Sequence, residues 1–197
     1  MTCIEPARTA TRRTRSNLFA ALVGGSAALI GVRVYQSLVS AAVRRSLTEA
    51  DGVVRGGVTV FDDEIPAVAN LDPDLLGALR QAAKDAAGDG VEFIVNSGWR
   101  SRDYQEQLLR DAVSKYGSEE EAARWVATAD TSSHVSGHAV DIGPAEARAW
   151  LSEHGARYGL CQIYRNEPWH YELRPEAIDH GCPPMYADPS QDPRMRR

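Results

Sequence analysis

Two short segments of this chain bring together side chains that bind metals and move protons. Ser132-Ser133-His134-Val135-Ser136-Gly137-His138-Ala139-Val140-Asp141 offers imidazole and carboxylate, and Glu167-Pro168-Trp169-His170 offers a further imidazole and a second carboxylate. A catalytic zinc ion takes about three protein ligands from His, Asp, Glu or Cys and keeps a fourth position for water, whose pKa falls to roughly 7. His134, Asp141 and His170 fit the three ligand positions, which leaves Glu167 as general base for the water. The other pairing, His134 with His138 one helical turn apart, fits poorly. The Glu that follows the first His of the helical zinc motif is missing, and Gly137 would cost a helix interior about 1 kcal/mol relative to Ala. Gly137 instead reads as a turn, and Ala139 to Ile142 as a strand that carries Asp141 back beside His134.

Further residues have roles to play around that centre. Arg100 can bind a carboxylate through two parallel hydrogen bonds or steady oxyanion charge. Gln105 and Ser132 are expected to hydrogen-bond substrate, and Glu172, two residues past His170, shares its strand face and is expected to orient a supporting group behind the ligands. Trp169 is expected to pack in the core beside His170, without chemistry. His138 suits a surface turn.

These residues need elements to hold them. Asp72-Pro73 opens a helix with Leu75, Leu79, Ala82, Ala83 and Ala86 on one face, ended by Gly88 and Gly90. Val91 to Val95 reads as a buried strand that delivers Ser97-Gly98-Trp99-Arg100 as a turn, after which Ser101 caps a helix to about Tyr116. Ser118 with Glu121 marks a capping box for a short helix through Val126, and Pro144 starts another toward Ala156. Gly159 to Tyr164 returns as a strand. Helices first and a sheet built mostly late predict an α+β fold, a mainly antiparallel sheet flanked by helices. The expected divisions are a signal peptide or membrane anchor over 1–48, a linker with short extended segments over 49–70, the catalytic domain over 71–185 and a tail over 186–197.

The N-terminal division rests on Arg8, Arg12, Arg13 and Arg15, followed by an uncharged run from Leu18 to Val32 that ends at Arg33. That pattern marks export to an extracytoplasmic location, secreted or anchored to the membrane. The run lies at the upper edge of a signal-peptide core of about 7–15 residues, and extension through Val43 would make residues 18–43 a tether. Residues 1–50 carry seven Lys and Arg against two Asp and Glu, which leaves fifteen basic and twenty-five acidic residues beyond, a balance of about −10. Such a surface argues against nucleic acid as a partner. Cys161 and Cys182 bracket the Glu167–His170 segment and, in an oxidising compartment, suit a disulfide worth about 3 kcal/mol; the alternative is two unpaired buried thiols.

The pattern Ser-x-His-x-x-Gly-x-Ala-x-Asp from Ser132 to Asp141, followed by Glu-x-Trp-His from Glu167 to His170, resembles the VanY-type zinc D-alanyl-D-alanine carboxypeptidases. Ser97-Gly98-Trp99-Arg100-Ser101 with Gln105 is similar to a third segment of that family. The resemblance covers roughly Asn70 to Pro175. It implies Zn2+ held by His134, Asp141 and His170, catalysis by Glu167 with Arg100, and a peptidoglycan stem peptide as substrate, cut at its terminal D-alanine. His138 and Arg102 depart from the family's usual residues and bear on substrate preference. An L,D-carboxypeptidase or a peptidoglycan endopeptidase would use the same metal set, and a non-catalytic zinc-stabilised wall-binding module is the rival of another class.

Overall fold

Asp72 accepts hydrogen bonds from the amides of Asp74 and Leu75, and Pro73 follows at the first helical position, so a helix starts there as expected. The structure, a computed structural model, describes residues 46–195. The Arg-led apolar run, Cys3 and most of the expected signal or anchor segment lie outside the described residues. Among the described residues no helix is long and apolar enough to cross a membrane.

The helices are α1 (Pro66–Ala69), α2 (Pro73–Gly88), α3 (Arg102–Tyr116), α4 (Glu119–Ala122), α5 (Ala145–His154) and α6 (Ala177–His180). The strands are β1 (Ile94–Ser97), β2 (Ala139–Gly143), β3 (Leu160–Gln162) and β4 (His170–Leu173). They form a four-stranded sheet in the order β1-β2-β4-β3, with every pairing antiparallel. The α+β expectation holds.

Strand alternation divides the sheet chemically. Val95, Val140, Ile142 and Tyr171 join the core with Leu75, Leu79 and Ala82 of α2 and Ala147, Trp150 and Leu151 of α5. Each fully buried Leu or Ile contributes roughly 1.5–3 kcal/mol, which clamps the sheet to its helices. Trp150 also donates its indole N–H to Asp89 at 2.8 Å and meets Phe93 edge-on at 5.7 Å. The opposite parity carries Asp141 on β2 and His170 and Glu172 on β4, and an irregularity in β1 brings Ser97 to the same face.

Several boundaries differ from expectation: α4 stops at Ala122 rather than Val126, and β3 spans Leu160–Gln162 rather than Gly159 to Tyr164. The first strand begins at Ile94 rather than Val91, because the Val91 amide donates to Ala86 at the end of α2 and is not free for the ladder. Residues 49–70, expected as a linker, contribute Val58, Val60, Ala67 and Val68 to the core; Thr59 bridges to Ile94, and the Trp99 amide donates to Ala67. Residues 186–195, expected as a tail, are also held. Tyr186 bridges Tyr164, and Asp188 and Asp192 are buried. Cys161 and Cys182 form the disulfide, which joins β3 to the chain just ahead of this C-terminal segment.

Candidate active site

The register of the sheet sets the site. Ser97 lies opposite Asp141, and Asp141 opposite His170, so three polar side chains form one row across β1, β2 and β4. A register shift between Val95 and Ser97 keeps Ser97 in that row while Val95 stays in the core. His134 arrives from the loop before β2. Gly137 turns that loop with φ 76°, its carbonyl accepts from the Asp72 amide at 2.9 Å, and its own amide donates to the His134 carbonyl at 3.2 Å. The Gly98 carbonyl accepts from His134 Nδ1 at 2.8 Å. Only glycine fits at 98, since a Cβ there would lie 2.1 Å from the Ala67 carbonyl oxygen.

That contact fixes the proton of His134 on Nδ1 and turns its Nε2 toward the sheet. His170 Nε2 faces the Glu172 carboxylate at 3.1 Å, so its Nδ1 is the atom presented to the site. His134 Nε2 and His170 Nδ1 stand 3.2 Å apart, and Asp141 Oδ1 lies 3.4 and 3.5 Å from them. A tetrahedral metal with bonds of about 2.0–2.1 Å places its ligand atoms about 3.3–3.4 Å apart. The three observed separations match the edges of that tetrahedron. Asp141 Oδ1 is buried without a hydrogen-bond partner, an arrangement that costs a carboxylate dearly unless a cation meets it. Two imidazole nitrogens and one carboxylate oxygen form a donor set suited to zinc rather than to oxygen-seeking magnesium or calcium.

The electrostatics agree. Burial works against a charge on His170, yet contacts with Asp141 and Glu172 outweigh it and push its pKa up to about 9. Burial, reinforced by Arg100, lowers that of His134. Burial opposes the charge of Asp141 too, but His134, His170 and Arg100 hold it well below the usual carboxylate range. The spot favours positive charge, so a bound cation displaces a proton from His170. Glu167 stands at the edge of the trio, with Oε2 3.6 Å from His170 Nδ1 and Oε1 buried without a partner. Burial pushes its pKa up to about 7 against the opposing influence of His170. A carboxylate there is poised to take up a proton near neutral pH.

Arg100 lies closer to the metal ligands than expected. Its Nη2 donates to Asp141 Oδ2 at 2.8 Å, Nε to Ser97 Oγ at 2.8 Å and Nη1 to Gln105 Oε1 at 3.2 Å. One oxygen of Asp141 is thereby engaged and the other left for the metal. Gln105, expected to bind substrate, is 2% exposed and also donates through Nε2 to the Ala127 carbonyl at 2.8 Å. Both ends of its amide are engaged within the protein, and it braces Arg100. Ser132 is buried on the wall of a cavity of ≈ 200 Å³ that also exposes Arg100, His134, Asp141, Glu167 and His170. Trp169 is half-buried and lines that cavity, which corrects its assignment to the core. His138 lies apart, its side chain 62% exposed and its ring against Ser136 and Asp72. Tyr164 on the cavity wall, Ser97 beneath Arg100 and the acid–base cluster around Glu172 were not anticipated in these roles.

A cleft floored by a buried His-Asp-His trio, with a free carboxylate at its edge and an antiparallel sheet beneath, is built as a metallohydrolase site. Residues 68–176 match the family described as "VanY: D-alanyl-D-alanine carboxypeptidase", and the chain belongs to that family. It is 31% identical over 139 residues to a D-alanyl-D-alanine carboxypeptidase of Enterococcus faecalis (strain ATCC 700802 / V583), in a match covering 56% of this chain and 52% of that protein. The chain thus spans about half the length of this curated relative. VanYB in complex with D-alanine-D-alanine superposes with a TM-score of 0.51 at 29% identity, over 56% of this chain and 74% of that one. The LdcB LD-carboxypeptidase shares the fold with a TM-score of 0.52 at 24% identity, over 67% of this chain and 72% of that one.

Proposed function

We propose that this chain is a zinc-dependent D-alanyl-D-alanine carboxypeptidase that hydrolyses the terminal peptide bond of peptidoglycan stem peptides. The observation that carries the reading is the spacing of His134 Nε2, Asp141 Oδ1 and His170 Nδ1 at tetrahedral edges, with Glu167 beside them. The D-alanine-D-alanine bound by VanYB supports the substrate class. So does the cavity: ≈ 200 Å³ falls below the range of about 300–1,000 Å³ typical of sites for drug-sized ligands, and suits the end of a peptide better than an extended chain.

His134, Asp141 and His170 would hold the zinc, which when bound would supply Lewis-acid polarisation and lower the pKa of a water to about 7. Glu167, whose Oε1 is buried without a partner at the edge of the trio, would accept a proton from the attacking water and return it to the leaving amine. Arg100 orients Asp141. Its five N–H donors exceed its three partners in the protein, so it retains the capacity to bind the peptide carboxylate from the cleft it lines. Glu172 fixes the tautomer and ring orientation of His170. Ser132 offers a hydroxyl to the substrate backbone.

The site of action proposed is extracytoplasmic. The Arg-led apolar run and the Cys161–Cys182 disulfide both support it. A C-terminal reporter is expected outside the cytoplasm; its recovery in the soluble cytoplasmic fraction alone would refute the assignment. For the activity, mass spectrometry of the purified chain acting on pentapeptide, tetrapeptide and cross-linked muropeptides decides. Loss of one alanine from the pentapeptide, abolished by a chelator and restored by zinc, is expected. Cleavage of the tetrapeptide or the cross-link alone would move the reading to the L,D-carboxypeptidase or the endopeptidase, and no cleavage by zinc-loaded protein would favour the wall-binding module.

A further inference from the structure

The family match ends at residue 176, but the contacts that hold the metal ligands continue beyond it. Glu172 is 1% exposed, and its carboxylate is enclosed by His170 Nε2 at 3.1 Å on Oε1 and by Arg174 and Arg194 at 2.6 and 2.7 Å on Oε2. A second amine of Arg194 reaches Oε1 at 3.4 Å, so the guanidinium spans both oxygens. The same guanidinium holds Asp192, whose exposure is 0%, through Nε at 3.1 and 3.0 Å from its two oxygens. Asp192 in turn accepts from the Tyr164 hydroxyl at 3.0 Å, and the Tyr164 ring lies 5.0 Å from the His170 ring. Two contact routes therefore run from the turn at Asp192–Arg194 to one metal ligand. The segment is also seated on the cleft itself, where Pro189 and Met195 form part of its wall.

An ionised carboxylate this deeply buried is tolerated only when paired and fully hydrogen-bonded. If one Arg is removed, the Glu172 carboxylate is free to rotate, and the His170 ring loses the acceptor that sets its plane. Groups that orient a metal-bound His commonly change metal affinity by about 10–100-fold when lost. We propose that Arg194 is a positioning residue of the metal site, fixing His170 through Glu172, so that the segment Asp188–Met195 belongs functionally to the catalytic centre. The inference rests on the metal assignment above.

Its test uses the full chain and no substrate. Zinc affinity is read by competition with a chromophoric chelator, ligand geometry by the visible absorption of the cobalt(II)-loaded protein, and fold by thermal melting with and without metal. Arg194→Met is expected to weaken zinc binding about tenfold, Arg174 remaining in place, to alter the cobalt bands and to shrink the metal-induced rise in melting temperature; Arg194→Lys should fall between it and the wild type. A folded Arg194→Met with wild-type zinc affinity and cobalt spectrum would overturn the proposal. If Arg194→Met does not fold, Arg194→Lys and Glu172→Gln decide: weakened zinc binding in both upholds the route, whereas weakening in Glu172→Gln alone removes Arg194 from it. A wild type that binds no zinc would instead sink the metal assignment, whatever the variants do.

Discussion

At the scale of single residues, Glu167 and Asp141 are both buried carboxylates, and their partners give them different work. Asp141 has Arg100 on one oxygen and is held low, whereas for Glu167 burial outweighs His170 at 3.6 Å and pushes the pKa up to about 7. Glu167→Gln is therefore expected to keep zinc and fold and to lose about 10²–10⁴-fold in kcat, checked by metal analysis beside steady-state kinetics on a peptide ending in D-Ala-D-Ala. Gln105 distinguishes a brace from a substrate contact. Gln105→Leu should lower zinc affinity by up to about tenfold through a loosened Arg100; a raised KM with unchanged zinc affinity would show direct substrate binding instead. His134, Asp141, His170 and Glu167 were legible because few residue types hold a metal and these fall in two short segments, Ser132–Asp141 and Glu167–His170, each with its own local spacing. The hydrogen bonds of Gln105 to Arg100 and to the Ala127 carbonyl were not legible, since an amide on a helix has the same sequence signature whether it faces ligand or protein. Arg194 gave no signal at all: it meets Glu172 across 22 residues with no local pattern to announce it.

At the scale of elements, local signals were accurate where one residue decides the outcome. Ser101 caps α3 by accepting from the Tyr104 amide, and Asp72 with Pro73 starts α2. They failed where tertiary contacts decide. The Gly- and Asp-rich stretch around Val58 and Val60 lacks a sustained period, and only its docking against β1 shows those valines to be core. The Gly137 turn is the element on which His134 depends. A Cβ at 137 would lie 2.5 Å from the Asn70 carbonyl oxygen at a φ of 76°. Gly137→Ala should thus cost about 1–3 kcal/mol, seen as a lower melting temperature. It should also weaken zinc binding, because the strain falls on the loop that presents a ligand.

At the scale of the whole molecule, the chain closes on itself through the C-terminal turn and the disulfide. Replacing Cys161 and Cys182 by Ser releases a closed loop with a sequence separation of 21 residues and should cost about 3 kcal/mol, measured by denaturant unfolding. Asp192 adds a pH dependence. Burial opposes its charge, but Arg194 and the Tyr164 hydroxyl hold its pKa below the usual value. A depressed carboxylate stabilises the fold above its unfolded pKa of about 3.9, and that contribution is lost as pH falls through the folded value. Asp192→Asn should be less stable than the wild type at pH 7, with the gap closing below about pH 3.9. The pairing of Asp141 with His170 carries a consequence for quality control. A slip of one residue between β2 and β4 would turn one of these side chains into the apolar layer, so the trio exists only in the native register. Ion capture then works as proofreading: a misaligned chain cannot retain the metal, so the shortfall from one zinc per chain in a metal-saturated, purified sample would count its misassembled fraction even where secondary structure is unchanged.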